Sequence, residues 1–210
     1  MKLLRFLNTK IDLSCGAFFP REETKYWTKK VIEEIKKEEG KGKKIKILDL
    51  FTGSGCIGIA ILKNTKDAKC VFGDIDEKYL EQVKINLFLN NISNKRAKTV
   101  KTNIFSNIKE KFDYIVANPP YVAKERLNEV QFEVKKYDPK IAWYGGKGGL
   151  VIIKKFLKEA KNFLNKNGKI YLEIDPYQVE DIKKIFEKEG YKNFKFYKDQ
   201  FGKIRFVKIS

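Results

Sequence analysis

"IKILDLFTGSGCIGIAILKN", residues 45–64, contains the change of period that decides the fold. Ile45 to Phe51 is an apolar run of strand length carrying one acid, Asp49. Gly53, Gly55 and Gly58 punctuate the turn after it, and "CIGIAILKN" resumes as an apolar helix. A buried strand that turns through glycines into a helix opens a parallel α/β sheet. The glycines also fit G-x-G-x-x-G, in which a backbone free of side chains approaches a nucleotide-type ligand. Asp74 ends the next apolar run, "KCVFGDI", where a carboxylate can accept hydrogen bonds from ribose hydroxyls. On this loop alone, NAD and S-adenosylmethionine are nearly tied. A glycine turn without a ligand is the weaker reading, because Asp74 stands at the expected distance.

Outward from this unit the alternation continues. Residues 22–39 carry Tyr26, Trp27, Val31 and Ile35 at helical spacing, and "GKGKK" ends that helix. Residues 77–91 predict an amphipathic helix, "RAKTVKT" a short strand and "KFDYIVA" a further strand. "GLVIIKKFLKEAKNFLNKNG" predicts a helix ended by Gly168. "KIYLEI" reads as a strand, and "DPYQVEDIKKIFEKEG" as a helix with Pro176 in its first turn. The tail, "FKFYKDQFGKIRFVKIS", predicts an antiparallel hairpin around Phe201-Gly202. The expected fold class is α/β, a mostly parallel, doubly wound sheet closed by that hairpin. No internal repeat or linker divides the chain, so 1–210 reads as one domain, with 1–40 a leading segment and helix and 41–210 the core.

Composition narrows the chemistry. There are no histidines, which excludes Ser-His and Cys-His nucleophiles, a histidine base and histidine metal ligands. Cys15, Cys56 and Cys70 are odd in number and lack CxxC spacing, so neither zinc nor a disulfide framework is indicated, and reduced thiols fit a cytoplasmic setting. The N-terminal "MKLLRFLNTKIDLSCGAFFP" is basic and apolar but lacks a signal-peptide core and cleavage site. It reads as part of the mature protein, with an organellar presequence as the alternative. No run is long and apolar enough for a membrane span. Lys plus Arg outnumber Asp plus Glu by 45 to 27, giving +18. Only five of these cations are arginines, the residue suited to phosphate and base recognition, and the lysines are scattered. The charge fits coding bias as well as a surface that approaches RNA or the ribosome.

"NPPY", Asn118 to Tyr121, closes the buried strand "FDYIVA" with two residues that forbid both helix and ladder pairing. A rigid turn needs the prolines but not the flanking amide and aromatic ring. Methylation of a planar –NH2 group could use all four, and a rigid loop with an incidental Asn and Tyr is the weaker alternative. The Asn118 oxygen and the Pro119 carbonyl can accept its two N–H groups and aim the nitrogen lone pair. Pro119 and Pro120 hold those acceptors in place, and Tyr121 can stack on the planar group. Hydride transfer requires none of this. Asp49 and Thr52 also lengthen the strand-to-glycine junction beyond the usual dinucleotide form, and Asp49 can order the loop through backbone N–H groups.

With these stretches in place, the chain resembles the release-factor glutamine N5-methyltransferases (HemK/PrmC type). "DLFTGSGCIGIAI", "GDID", "NPPYV" and "YDPKIAWYGGKGGLVIIKKFL" occur in that family's order and spacing. "FFPREETKYW" is similar to its "IPRPETE" segment, and "GKIYLEI" with "FGKIRFVK" to its C-terminal end, so the likeness runs from about Phe18 to Val207. NPPY alone also occurs in adenine-N6 methyltransferases; the "PR" and "YDP…GG" segments narrow it. The resemblance implies a class I, Rossmann-like methyltransferase that uses S-adenosylmethionine and yields S-adenosylhomocysteine. Its substrate would be the glutamine of a GGQ motif in a peptide chain release factor. It implies that Thr52, Gly53, Ser54, Gly55, Cys56 and Ile57 cradle the methionine moiety, Asp74 the ribose, and Asn103, where the family usually has Asp, the adenine. Asn118 would border both cofactor and substrate, and Asn118, Pro119, Pro120 and Tyr121 would form the catalytic group. Arg21 and Thr24 match the cofactor-covering segment, with Glu22 and Lys25 replacing its usual Pro and Glu.

Typical bacterial members carry a helical N-terminal domain, whereas fewer than twenty residues precede "PR" here. The expectations are that the catalytic domain alone holds the substrate, that a small partner protein stands in that domain's place, or that the chain is a reduced or truncated form. Short eukaryotic members pair with a small zinc protein, but their upstream segment differs from "FFPREETKYW". Two other readings remain open at this point: a nucleic-acid amino-methyltransferase, favoured only by charge, and a non-catalytic cofactor-binding factor associated with translation.

Overall fold

The computed structural model describes residues 3–210, with backbone alone at 133 and 137; Met1 and Lys2 of the N-terminal stretch lie outside the described residues. The first described elements are two short strands, β1 (Leu3–Phe6) and β2 (Thr9–Asp12), followed by helix α1 (Glu22–Glu39). Then come β3 (Lys46–Leu50), α2 (Cys56–Asn64), β4 (Lys69–Asp74), α3 (Glu77–Leu89), β5 (Ala97–Lys101) and β6 (Phe112–Ala117). After β7 (Val122–Ala123), α4 (Phe132–Tyr137) and β8 (Tyr144–Gly146), the chain runs through α5 (Val151–Ala160), β9 (Leu164–Glu173), α6 (Val179–Glu189), β10 (Phe194–Lys198) and β11 (Ile204–Ile209).

Among the described residues, seven strands form one sheet in the order β10-β11-β9-β6-β3-β4-β5. The pairs β6–β9, β3–β6, β3–β4 and β4–β5 are parallel, and β11 pairs antiparallel with both β9 and β10. The α/β class and the closing hairpin are therefore as expected. The hairpin enters out of sequence order: β11, the last strand, inserts between β9 and β10. Central strands covered on both faces should be almost continuously apolar. Accordingly β6 is buried at every position, and β3 at every position but its first.

One layer of helices buries Trp27, Val31 and Ile35 of α1, Ile57 to Leu62 of α2 and Tyr79, Val83 and Leu87 of α3 against the sheet. The other buries Ile153, Phe156, Leu157 and Ala160 of α5 with Ile182, Ile185 and Phe186 of α6. Among the described residues, no helix is long and apolar enough to cross a membrane.

Two elements differ from the sequence expectation. The helix predicted to reach Gly168 ends at Ala160, and β9 already starts at Leu164. Asn167 adopts a left-handed φ of 63°, so the Gly168 region is an irregularity inside a strand and not a helix cap. The parallel pairing of Phe112 with Leu164 extends the strand where local periodicity favoured helix. The β1–β2 hairpin was also not expected. It is held by side-chain amides that recur every fourth residue along α3. Gln82 accepts from Cys15 N, Asn86 from Asp12 N and Asn90 from Lys10 N, at 2.7, 2.7 and 2.9 Å.

Candidate active site

β3 runs to its helix on one side and pairs with β6 on the other, so the chain reverses direction across the sheet between them. In open α/β sheets ligands bind at such a switch point, beyond the carboxyl ends of the strands. A cavity of about 620 Å³ opens there, within the size range of small-molecule sites. Thr52, Gly53, Ser54, Cys56, Ile57, Asp74 and Asn103 line it, together with all four residues of NPPY. Gly55 does not. A Cβ there would meet Val83 and Ile59 at about 3.0–3.1 Å, so this glycine serves the packing of α2 on α3 at φ 76°.

The glycine loop is shaped by two acids. Asp49, fully buried in β3, accepts from Gly58 N and from Thr52 Oγ1 through the same oxygen, Oδ2, at 2.9 Å each. Its other oxygen, Oδ1, is buried and has no hydrogen-bond partner among the described residues. Burial pushes the Asp49 pKa up to about 7. Asp74 accepts from Gly53 N at 2.9 Å and Asp76 N at 3.2 Å, and burial raises its pKa too. A Cβ at Gly58 would sit 2.4 Å from Phe72 and 2.9 Å from Asp49, whereas at Gly53 it would meet nothing within 4 Å. The first glycine thus faces open space in the cavity, as an extended cofactor requires, and the third packs the helix on the sheet. Phe51 and Ile104, both lining the cavity, hold left-handed φ values of 59° and 56°, a strain that clusters at ligand sites. Burial lifts the Cys56 thiol to about 12, leaving it a packing group.

NPPY leaves the end of β6 and is clamped from three sides. Val122 N donates to Trp143 O at 2.8 Å, which starts the parallel β7–β8 pair. Gln178 Nε2 donates to Tyr121 O at 2.9 Å and to Gly148 O at 3.1 Å. Gly145 and Gly149 bring their backbone against the same loop. A Cβ at Gly149 would lie 1.9 Å from Tyr121 O, and one at Gly145 would lie 2.6 Å from Pro120 O. This close approach is the physical reason for the glycines of "YGGKGG".

The third clamp is Glu173, at the end of β9 and 1% exposed. It accepts from Trp27 Nε1 and Thr24 Oγ1 at 2.7 Å each and from Tyr121 Oη at 3.1 Å. Burial raises its pKa, against the pull of these donors and of nearby Arg205. Asn118 Nδ2 in turn donates to Thr24 Oγ1 at 3.5 Å. Sequence reasoning took "GKIYLEI" as a strand and passed over its one acid; a single carboxylate in an otherwise apolar run was the available signal. Trp27 packs against Phe206, and it also anchors this carboxylate. Arg21 reaches across to Asp138 at 3.1 Å with its guanidinium 4.7 Å from the Phe18 ring, so the "FFPRE" and "YDP" segments meet over the cavity. Arg126, Glu129, Asp175 and Arg205, which the sequence did not single out, also line it.

The family model described as methyltransferase small domain matches residues 8–134. Among solved structures, the N-terminal domain of human METTL16 in complex with SAH superposes with a TM-score of 0.66 at 17% identity, covering 96% of this chain and 75% of that one, a likeness of fold. The chain is 35% identical over 183 residues to a bifunctional methyltransferase of Rickettsia bellii, covering 87% of this chain and 33% of that protein. It is 37% identical over 199 residues to a release factor glutamine methyltransferase of Thermodesulfovibrio yellowstonii, covering 94% of this chain and 70% of that protein. By this likeness the chain belongs to the release factor glutamine methyltransferase family, and it is a methyltransferase dependent on S-adenosylmethionine.

Proposed function

We propose that this protein methylates the side-chain nitrogen of the glutamine in the GGQ motif of a peptide chain release factor. The observation that carries the reading is the orientation of Asn118: its amide nitrogen faces Thr24 Oγ1, which leaves its oxygen as an acceptor at the cavity. An acceptor there suits a substrate –NH2 group. It does not suit a carboxylate or an alkoxide.

Thr52, Gly53, Ser54, Cys56, Ile57 and Asp74 are the residues that would hold S-adenosylmethionine, with Asn103 beside them. When bound, it supplies a methyl group on a sulfonium centre that needs no further activation. An amide nitrogen is a poor nucleophile because its lone pair is conjugated. Asn118 Oδ1 and the Pro119 carbonyl take one N–H each and turn the lone pair out of the amide plane. The prolines hold both acceptors without an ordering cost. Tyr121, whose hydroxyl donates to Glu173 and whose carbonyl accepts from Gln178, is held in place beside them. The nitrogen that accepts the methyl group would become cationic and strongly acidic, and would then pass one proton to solvent water in the cavity, so no base is required beforehand.

The relative's name supports the choice of a release factor, and the cavity's acceptors support an amide. The test is mass spectrometry of the GGQ peptide after incubation of recombinant release factor with this protein and methyl donor. A gain of one methyl on glutamine, abolished in Asn118→Ala, is the expected result. Unmodified glutamine with a cofactor-bound, folded enzyme overturns it, and methyl label in RNA instead of protein replaces it with a nucleic-acid acceptor.

A further inference from the structure

Glu173 has three neighbours that can only donate to it as they are arranged: the Trp27 indole N–H, the Thr24 hydroxyl and the Tyr121 hydroxyl. The indole nitrogen has no acceptor capacity, and a hydroxyl has one proton. Once Thr24 gives its proton to Glu173 at 2.7 Å, only lone pairs remain on Thr24 Oγ1. The side chain of Asn118 lies against that oxygen. It must therefore turn its –NH2 toward Thr24 and its carbonyl oxygen away. The order of the two atoms of the Asn118 amide follows here from proton counting along the chain Glu173–Thr24–Asn118.

We propose that Glu173 is a positioning residue for methyl transfer: through Thr24 it fixes which end of the Asn118 amide faces the substrate, and directly it holds Tyr121. The proposal rests on the reading of Asn118 as the acceptor for the substrate –NH2. It links α1, β9 and the NPPY loop into one device, so that the segment covering the cofactor also sets the polarity of the substrate site. With the relay broken, the amide can rotate and present its own –NH2 to a substrate –NH2, donor against donor. At 3.5 Å the Asn118–Thr24 bond is long, as catalytic hydrogen bonds often are before substrate arrives.

Thr24→Val, Thr24→Ser and Glu173→Gln in the full chain test it. Thr24→Val removes the acceptor while keeping shape, and kcat for release-factor methylation should fall roughly tenfold. Thr24→Ser keeps the hydroxyl and should recover most of that loss. Glu173→Gln places an –NH2 among three donors, which forces one hydroxyl to reverse, and should cost at least as much as Thr24→Val. The loss in Thr24→Val should persist in kcat at saturating cofactor, which separates it from any change in cofactor binding through this segment.

A substrate-independent readout keeps the two readings apart. The side-chain amide proton pair of Asn118, assigned by its loss in Asn118→Ala, should shift in Thr24→Val and remain in place in Thr24→Ser. Failure of wild type to methylate the release factor sinks the proposed function, while the amide pair still decides the relay. An unmoved pair in Thr24→Val, unchanged kcat in that variant, or equal losses in the Val and Ser variants overturn the relay.

Discussion

Asn86, on α3, donates to the backbone carbonyl of Ser54 in the glycine loop at 2.9 Å. The same amide nitrogen donates to Asp12 O at 3.0 Å, and its oxygen accepts from Asp12 N at 2.7 Å. One buried side chain thus joins the N-terminal hairpin to the cofactor loop. Replacement by leucine leaves buried backbone groups of Asp12 and Ser54 without partners, each costing about 1–3 kcal/mol. Asn86→Leu should lower the stability measured by denaturant titration by several kcal/mol in all and weaken cofactor binding with it. Unchanged binding in a folded variant would count against the link.

The three loop glycines should respond to alanine in different ways. Gly53→Ala meets open space, so its fold cost is the left-handed backbone alone, about 1–2 kcal/mol. Its methyl group projects into the cavity and should reduce cofactor affinity at least tenfold by calorimetry. Gly58→Ala drives a methyl into Phe72, Cys70 and Asp49 and should instead lower the unfolding free energy, by about 1–3 kcal/mol of overpacking. Affinity lost in both with stability retained in both would be wrong for this geometry.

Gly149→Ala provides the corresponding test at the substrate end. The added carbon would overlap Tyr121 O and crowd Gln178, so the NPPY loop must move. The expected outcome is a kcat reduced about a hundredfold, as for an ångström-scale displacement of reacting groups, with cofactor affinity nearly intact. Kinetics that changed only in the cofactor KM would contradict this placement.

Asp49 makes stability depend on pH. Burial raises its folded pKa to about 7 from an ordinary 3.8, so between these values the folded state holds a proton the unfolded chain has lost. Its contribution to stability is fully present below the lower value and declines as pH rises toward the upper one, by at most about 1.4 kcal/mol per pH unit. Asp49→Asn keeps an acceptor for Gly58 N and Thr52, and the difference in stability between the variant and wild type should widen from pH 4 to pH 7 in the variant's favour. Parallel stability profiles over that range would show that Asp49 ionises normally.

The local signals were legible wherever they were made by neighbours in the chain. The glycine loop, Asp74 and NPPY were each visible through short-range spacing and line one cavity, and the alternation of strands and helices was enough for an α/β sheet. The misplaced end of α5 shows the limit: residues 161–168 carry a helical pattern, yet the partner strand β6 draws Leu164 onward into the sheet. The β1–β2 hairpin escaped notice because its partners, Gln82, Asn86 and Asn90, are seventy to eighty residues away.

Residue type and order were sufficient to suggest the class of reaction, because an amide oxygen, one carbonyl held by prolines and a glycine loop are each spelled out by short stretches of sequence. The direction in which Asn118 points is a different kind of fact. It depends on where one proton of Thr24 goes, and that depends on a carboxylate 149 residues further along the chain. No local pattern encodes such a contact. Only folding brings Glu173 to Thr24, with the burial that makes every donor around it commit to one direction.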